Sequence, residues 1–163
     1  MQNILVESPT IVSAPKAIQE KKDGRCRMEA CLQTVGVWNR NNRMYEEGLL
    51  KEGIKKIGDR IKEGSILGEL DHPIDNNPVR QLTVLYKGAS HQILELGWDG
   101  NKLVGVLETT RSPNGEILKN FTTDGIPIGF SFRGMGDLRK VTMEEAKLDI
   151  RLRLLSILLP GMQ

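Results

Sequence analysis

Apolar and polar residues alternate from Arg25 to Trp38, with Cys26, Met28, Ala30 and Leu32 on one face, and this period of two predicts a strand. Asn39 to Tyr45 is polar and turn-prone, and after it the period changes. Leu50, Ile54, Ile57 and Ile61 recur at spacings of four, three and four, which predicts an amphipathic helix. Its other positions are mostly Lys, Glu, Asp and Arg and read as a solvated face rather than a binding site. Glu63-Gly64 ends the helix, and Ser65 to Leu70 reads as a short strand delivering His72. A loop with Pro73, Asp75-Asn76-Asn77 and Pro78 follows. Residues 82–98 and 103–110 predict a hairpin around Asp99-Gly100-Asn101, where Asp-Gly is a strong turn signal. Ser112 to Gly115 reads as another turn, before a short helix that carries Ile117, Leu118 and Phe121 and ends at Asp124-Gly125. Gly125 to Phe132 reads as a buried strand bearing Ser131, with Gly134 to Gly136 turning away from it. From Leu148 to Leu159 basic and apolar residues alternate and then become wholly apolar before Pro160.

These elements sum to an α+β domain of mostly antiparallel strands with two helices, arranged as a distorted barrel. A chain of 163 residues suits one core, so residues 25–163 are assigned to a single domain. Residues 1–24 form an arm: the apolar patch Ile4-Leu5-Val6, then Glu7-Ser8-Pro9, then a Pro- and Lys-containing tract ending at Asp23-Gly24. Such composition fits a segment tied down by a few contacts and fits a mobile one.

Charge narrows the function classes. The 23 basic and 21 acidic residues nearly cancel, which gives no electrostatic footprint for nucleic acid. No apolar stretch is long enough to span a bilayer, and the N-terminus lacks a signal peptide's basic start and long apolar run. The expectation is a soluble, cytoplasmic chain, or one enclosed in something assembled there, with no nucleic-acid or membrane partner. Cys26 and Cys31 have odd spacing in one strand and so point to opposite faces, which suits reduced structural thiols. Neither they nor the two histidines have the neighbours of a metal site, so no metal and no cofactor is expected.

Two short motifs hold candidate chemistry. Gly68 to Pro73 (GELDHP) presents His72 where a strand ends and a proline-restricted turn begins. Gly129 to Gly134 (GFSFRG) presents Ser131 between two phenylalanines, followed by Arg133 and Gly134. An imidazole can take a serine proton, while a fixed positive charge and glycine-flanked amides can stabilise an oxyanion. The local patterns also suit a backbone-bonded histidine and a structural serine. Asp71 is a poor orienter for His72, because strand neighbours face opposite ways. His91 reads as packed at a sheet surface beside Ile93, and Trp38 and Trp98 as core or interface residues.

Taken in order, these pieces resemble the prohead core protease of tailed bacteriophages, distantly related to the herpesvirus assembly protease. The likeness runs over roughly residues 25–138. It comprises Asn39 to Tyr45 (NRNNRMY), GELDHP, the strand pair about the Asp-Gly turn, the Ser112 turn with its short helix, and GFSFRGMG. The resemblance implies a herpesvirus-protease-like fold, His72 as general base and Ser131 as nucleophile of a serine endopeptidase. Arg133 and Gly134 would form or support the oxyanion site. Phe132 stands where the family usually has a second serine. The family's usual aspartate in the last strand is replaced by Leu158, with Asp149 the nearest acid.

By the same resemblance the enzyme is a zymogen of the phage prohead interior, within the host cytoplasm, and a homo-oligomer. It would cleave scaffold and major capsid proteins after a glutamate preceded, two residues earlier, by Leu or Ile. Leu5-Val6-Glu7 fits that rule, so self-cleavage between Glu7 and Ser8 would release the arm as a propeptide. The competing expectation is a structural assembly protein of the same fold, related to tube-forming phage proteins, which has kept shape and lost chemistry.

Overall fold

The period-two run folds as strand β4 (Cys26–Thr34), with Cys26, Met28 and Ala30 buried on one face. A register shift between Cys31 and Gln33 breaks the alternation, so Gln33 and Thr34 are buried where the pattern pointed to Leu32. The strand stops there instead of reaching Trp38, which is exposed. Both cysteines are free, Cys26 buried and Cys31 half-buried.

The structure is a computed structural model and describes residues 3–6, 12–136, 138–142 and 144. Before β4 lie the short strands β1 (Asn3–Val6), β2 (Val12–Ser13) and β3 (Lys16–Glu20). After it come helix α1 (Glu47–Lys62), β5 (Leu67–Glu69), α2 (Pro78–Leu82), a 3-10 turn (Tyr86–Gly88), β6 (Ala89–Asp99) and β7 (Lys102–Thr109). Helix α3 (Pro113–Thr123), β8 (Ile128–Gly129) and β9 (Arg133–Gly136) follow. The backbone divides into two units, Ile4–Gly134 on the one hand and Met1–Asn3 with Met135–Gln163 on the other. In the smaller unit few residues are described, among them an exposed Leu138. The five-stranded sheet, helices α1 to α3, His72 and Ser131 belong to the larger one.

Its frame is an antiparallel sheet in the order β3-β4-β7-β6-β5. The sheet is open among the described residues, so the expected barrel is not closed. Its edges are β3, exposed along its length, and β5, three residues long, and neither offers enough ladder to join the other. The hairpin of β6 and β7 turns tightly at Gly100, whose φ of 57° explains why glycine follows Asp99.

Among the described residues three helices accompany the sheet where two were expected. The added one is α2: Asn77 accepts a hydrogen bond from the Val79 amide at 2.9 Å and Pro78 sits at the first helical position. Strand β6 therefore begins at Ala89 and not at residue 82. Likewise the Ser112-Pro113 pair opens α3 and is not a separate turn, since Ser112 Oγ accepts from the Gly115 amide. Helix α3 lays Gly115, Leu118 and Thr122 on the sheet, while Ile117 and Phe121 stay largely exposed. Met28, Ala30, Leu107 and Leu118 make the main core, with Leu70, Ile128 and Phe130 packed around it. A second cluster gathers Val35 and Tyr45 with Leu50, Trp98 and Phe132. The α1 stripe forms as expected, although none of its residues is fully buried.

Candidate active site

Strand β5 pairs with β6 through Leu67↔Gln92, Gly68↔His91 and, after a register shift, Glu69↔Ala89, and the chain then leaves the sheet edge. The Leu70 amide still donates to Gly88 O at 3.1 Å, after which Asp71 and His72 are exposed. The turn beyond His72 is held from α2: Gln81 Nε2 donates to Pro73 O at 3.2 Å and also to Asp75 O. A proline and a side-chain clamp thus restrict the backbone on the C-terminal side of the histidine.

Ser131 arrives from the other direction. Only Ile128 and Gly129 form a ladder here, as β8 against β2 with Val12↔Gly129 and Ser13↔Ile128. The buried strand expected over residues 125–132 is thus confined to two residues, because β2 offers only two partners. Phe130 and Phe132 hold the half-buried serine in place from different clusters. Phe130 meets His91 edge-on at 5.7 Å between ring centroids, and Phe132 meets Tyr45 at 5.3 Å. Gly134 to Gly136, expected as a turn, continue from Arg133 as β9.

His72 Nε2 and Ser131 Oγ, 59 residues apart in sequence, are hydrogen-bonded to each other. With Nε2 as acceptor, the ring proton lies on Nδ1 and the hydroxyl proton points at a base able to take it.

Arg133, two residues after Ser131, bonds a buried carboxylate. The Glu69 side chain, 4 % exposed, accepts from Arg80 through both guanidinium ends at 2.8 and 3.1 Å. It also accepts from Arg133 Nη2 at 2.7 Å and from the Leu85 amide at 3.2 Å. Burial alone would push the Glu69 carboxyl up. The bonds from Arg80, Arg133 and the Leu85 amide, with the charge of Arg80, outweigh it and hold the group below its ordinary value. Arg133 Nη2 therefore serves Glu69, which commits that end of the guanidinium to a carboxylate.

His91 corrects another expectation. It is buried, not at a sheet surface, because its ring covers the bare backbone of Gly68, where an added Cβ would lie 2.2 Å from Nε2. Its Nδ1 pairs with Ser90 Oγ at 2.9 Å, and burial lowers its pKa to about 4, so it is neutral at physiological pH. His91 thereby touches both motifs, Gly68 in one and Phe130 in the other.

Of the residues singled out from sequence, His72, Ser131 and Arg133 come together, with Gly134 next along β9. Glu7, Ser8, Asp149 and Leu158 lie outside the described residues. Sequence reasoning passed over Glu69, Gln81 and the position of His91. The available signal for Glu69 was its place in a strand that otherwise reads apolar, since a carboxylate there needs a cation.

A protein-family model described as prohead core protein serine protease matches residues 4–152. No curated protein matches the chain. Among solved structures, the capsid assembly protease of bacteriophage T4 is similar, with a TM-score of 0.64 and 25% identity over 86% of each chain.

Proposed function

The chain belongs to the prohead core protein serine proteases, a family of phage capsid maturation working inside the procapsid, and on that premise we propose that Ser131 is its nucleophile and His72 its general base. The observation that supports the assignment is the hydrogen bond between His72 Nε2 and Ser131 Oγ. In the reaction His72 takes the Ser131 proton as Oγ attacks the scissile carbonyl. The imidazolium then returns that proton to the leaving amine, and an acyl-enzyme forms. Water, deprotonated by the same imidazole, releases the acyl product. The developing oxyanion is held by backbone amides at Arg133-Gly134, Nη2 of Arg133 being engaged by Glu69.

The substrates of this reading are scaffold and major capsid proteins, cut after glutamate, by an oligomer enclosed in a prohead within the host cytoplasm. The first substrate is the chain itself: within the arm of residues 1–24, which precedes the single protease domain of residues 25–163, cleavage after Glu7 removes Met1 to Glu7. The pairing of β2 with β8 supports that reading, because it lays arm residues Val12 and Ser13 along the strand that leads to Ser131.

A fluorophosphonate, which acylation-type serine enzymes attack and retain, tests the assignment. Peptide mapping of the labelled chain is expected to find the adduct on Ser131 alone, and His72→Ala is expected to lose labelling by at least about a hundredfold. An adduct on another serine would overturn the Ser131 assignment, and an unlabelled chain would return the protein to the structural-assembly reading.

A further inference from the structure

We propose that Glu69 is a positioning residue for the reaction, whose buried carboxylate holds Arg133 and so keeps Ser131 against His72. The proposal rests on the Ser131–His72 assignment and goes beyond it. Glu69 lies three residues before His72, and Arg133 two residues after Ser131. The 2.7 Å Glu69–Arg133 bond and the His72–Ser131 bond therefore close a small ring of seven residues, 69–72 and 131–133. Within such a ring, fixing one contact restricts the other.

The carboxylate is itself immobile. Four donors from three segments converge on it: both ends of Arg80, the Leu85 amide and Arg133. Gly88 leaves it room, since an added Cβ there would meet Glu69 Oε1 at 2.8 Å. Arg133 has little alternative. Its side chain is 12 % exposed and among the described residues its Nη1 has no hydrogen-bond partner, so Glu69 is its anchor. Without that negative charge a buried guanidinium is left uncompensated, and it relaxes by moving toward water. Such a movement pulls on backbone two residues from Ser131. A displacement of about 1 Å at a reacting atom costs on the order of a hundredfold in rate.

The experiment measures saturation kinetics of fluorophosphonate labelling on the full chain, with circular dichroism and melting curves alongside. The variants are Glu69→Gln, Arg133→Met, their double, and Arg133→Lys. Glu69→Gln and Arg133→Met are each expected to lower the maximal labelling rate about ten- to a hundredfold while leaving the half-saturating concentration near that of the unmutated chain. The double variant is expected to be no worse than the poorer single, because both remove one contact. Arg133→Lys is expected to recover much of what Arg133→Met loses, since a single N–H bond and a charge are all Glu69 receives from this side chain.

Single variants within about twofold of the unmutated rate would overturn the proposal, as would a double variant whose loss is the product of the singles. If Glu69→Gln fails to fold, Arg133→Met against Arg133→Lys decides: rescue by lysine supports the anchor, and equal rates overturn it. An unmutated chain that takes no label sinks the protease assignment instead, so the two failures are told apart.

Discussion

His91 and Gly68 show how one residue pair constrains a site it does not enter. The imidazole occupies the volume a side chain at position 68 would need, so β5 approaches β6 closely enough to deliver the turn at His72. Gly68→Ala is expected to force the ring aside, costing about 1–3 kcal/mol of stability in a denaturant melt and slowing Ser131 labelling. His91 also makes stability depend on pH. Its imidazole has a pKa of about 4 when folded, against about 6.5 in an unfolded chain, so the unfolded state takes up the proton first. Stability is therefore full above about pH 6.5 and falls as the pH drops toward 4, by roughly 3 kcal/mol in all. Glu69 adds a separate loss further into acid. Its depressed carboxyl contributes above its unfolded value of about 4.3 and fades as the pH falls through the folded one. Unfolding free energies measured across pH 4 to 7 are expected to slope less steeply for His91→Asn than for the unmutated chain. Parallel curves would mean that the ring titrates normally.

Helix α3 shows how an element can be stabilised without touching the chemistry. Ser112 Oγ accepts from the Gly115 amide at 3.2 Å, donates to Ala89 O at 2.9 Å and meets Thr110 Oγ1 at 2.7 Å. Gly115 is needed because an added Cβ would lie 2.0 Å from Thr110 O. Ser112→Ala is expected to cost about 1 kcal/mol in a thermal or denaturant melt and to leave Ser131 labelling unchanged below the transition. A change in labelling rate without a change in stability would show that α3 reaches the site. This helix start and that of α2 were both legible as Ser-Pro and Asn-Pro pairs, yet each also reads as turn chemistry, and local sequence does not separate the two. The α1 stripe was plainer, since four apolar residues at helical spacing have one reading. Its shallow burial was not legible, because coverage depends on what packs there and not on the helix itself.

Across the larger unit, the site forms where an edge strand of the sheet and a two-residue ladder meet. His72 extends from β5 at the sheet edge, and Ser131 follows β8, itself paired with the arm. The two motifs were readable as separate carriers of a histidine and a serine, and their order along the chain carried the family. Their meeting was implied only by the resemblance, as general base and nucleophile, since neither motif alone specifies the other's position. The Glu69–Arg133 link, which joins residues 64 apart through a buried bond, was not readable. The open sheet likewise escaped the pattern, because alternation reports faces and not closure.

The central claim is that Ser131, served by His72, makes this chain a self-processing protease. Intact mass of the purified chain, followed over time beside its Ser131→Ala form, tests it most directly. Loss of Met1 to Glu7 from the unmutated chain alone, with circular dichroism alike for both, is the expected result. Loss of the same segment from the Ser131→Ala form would contradict the claim, as would a mass that never changes in either.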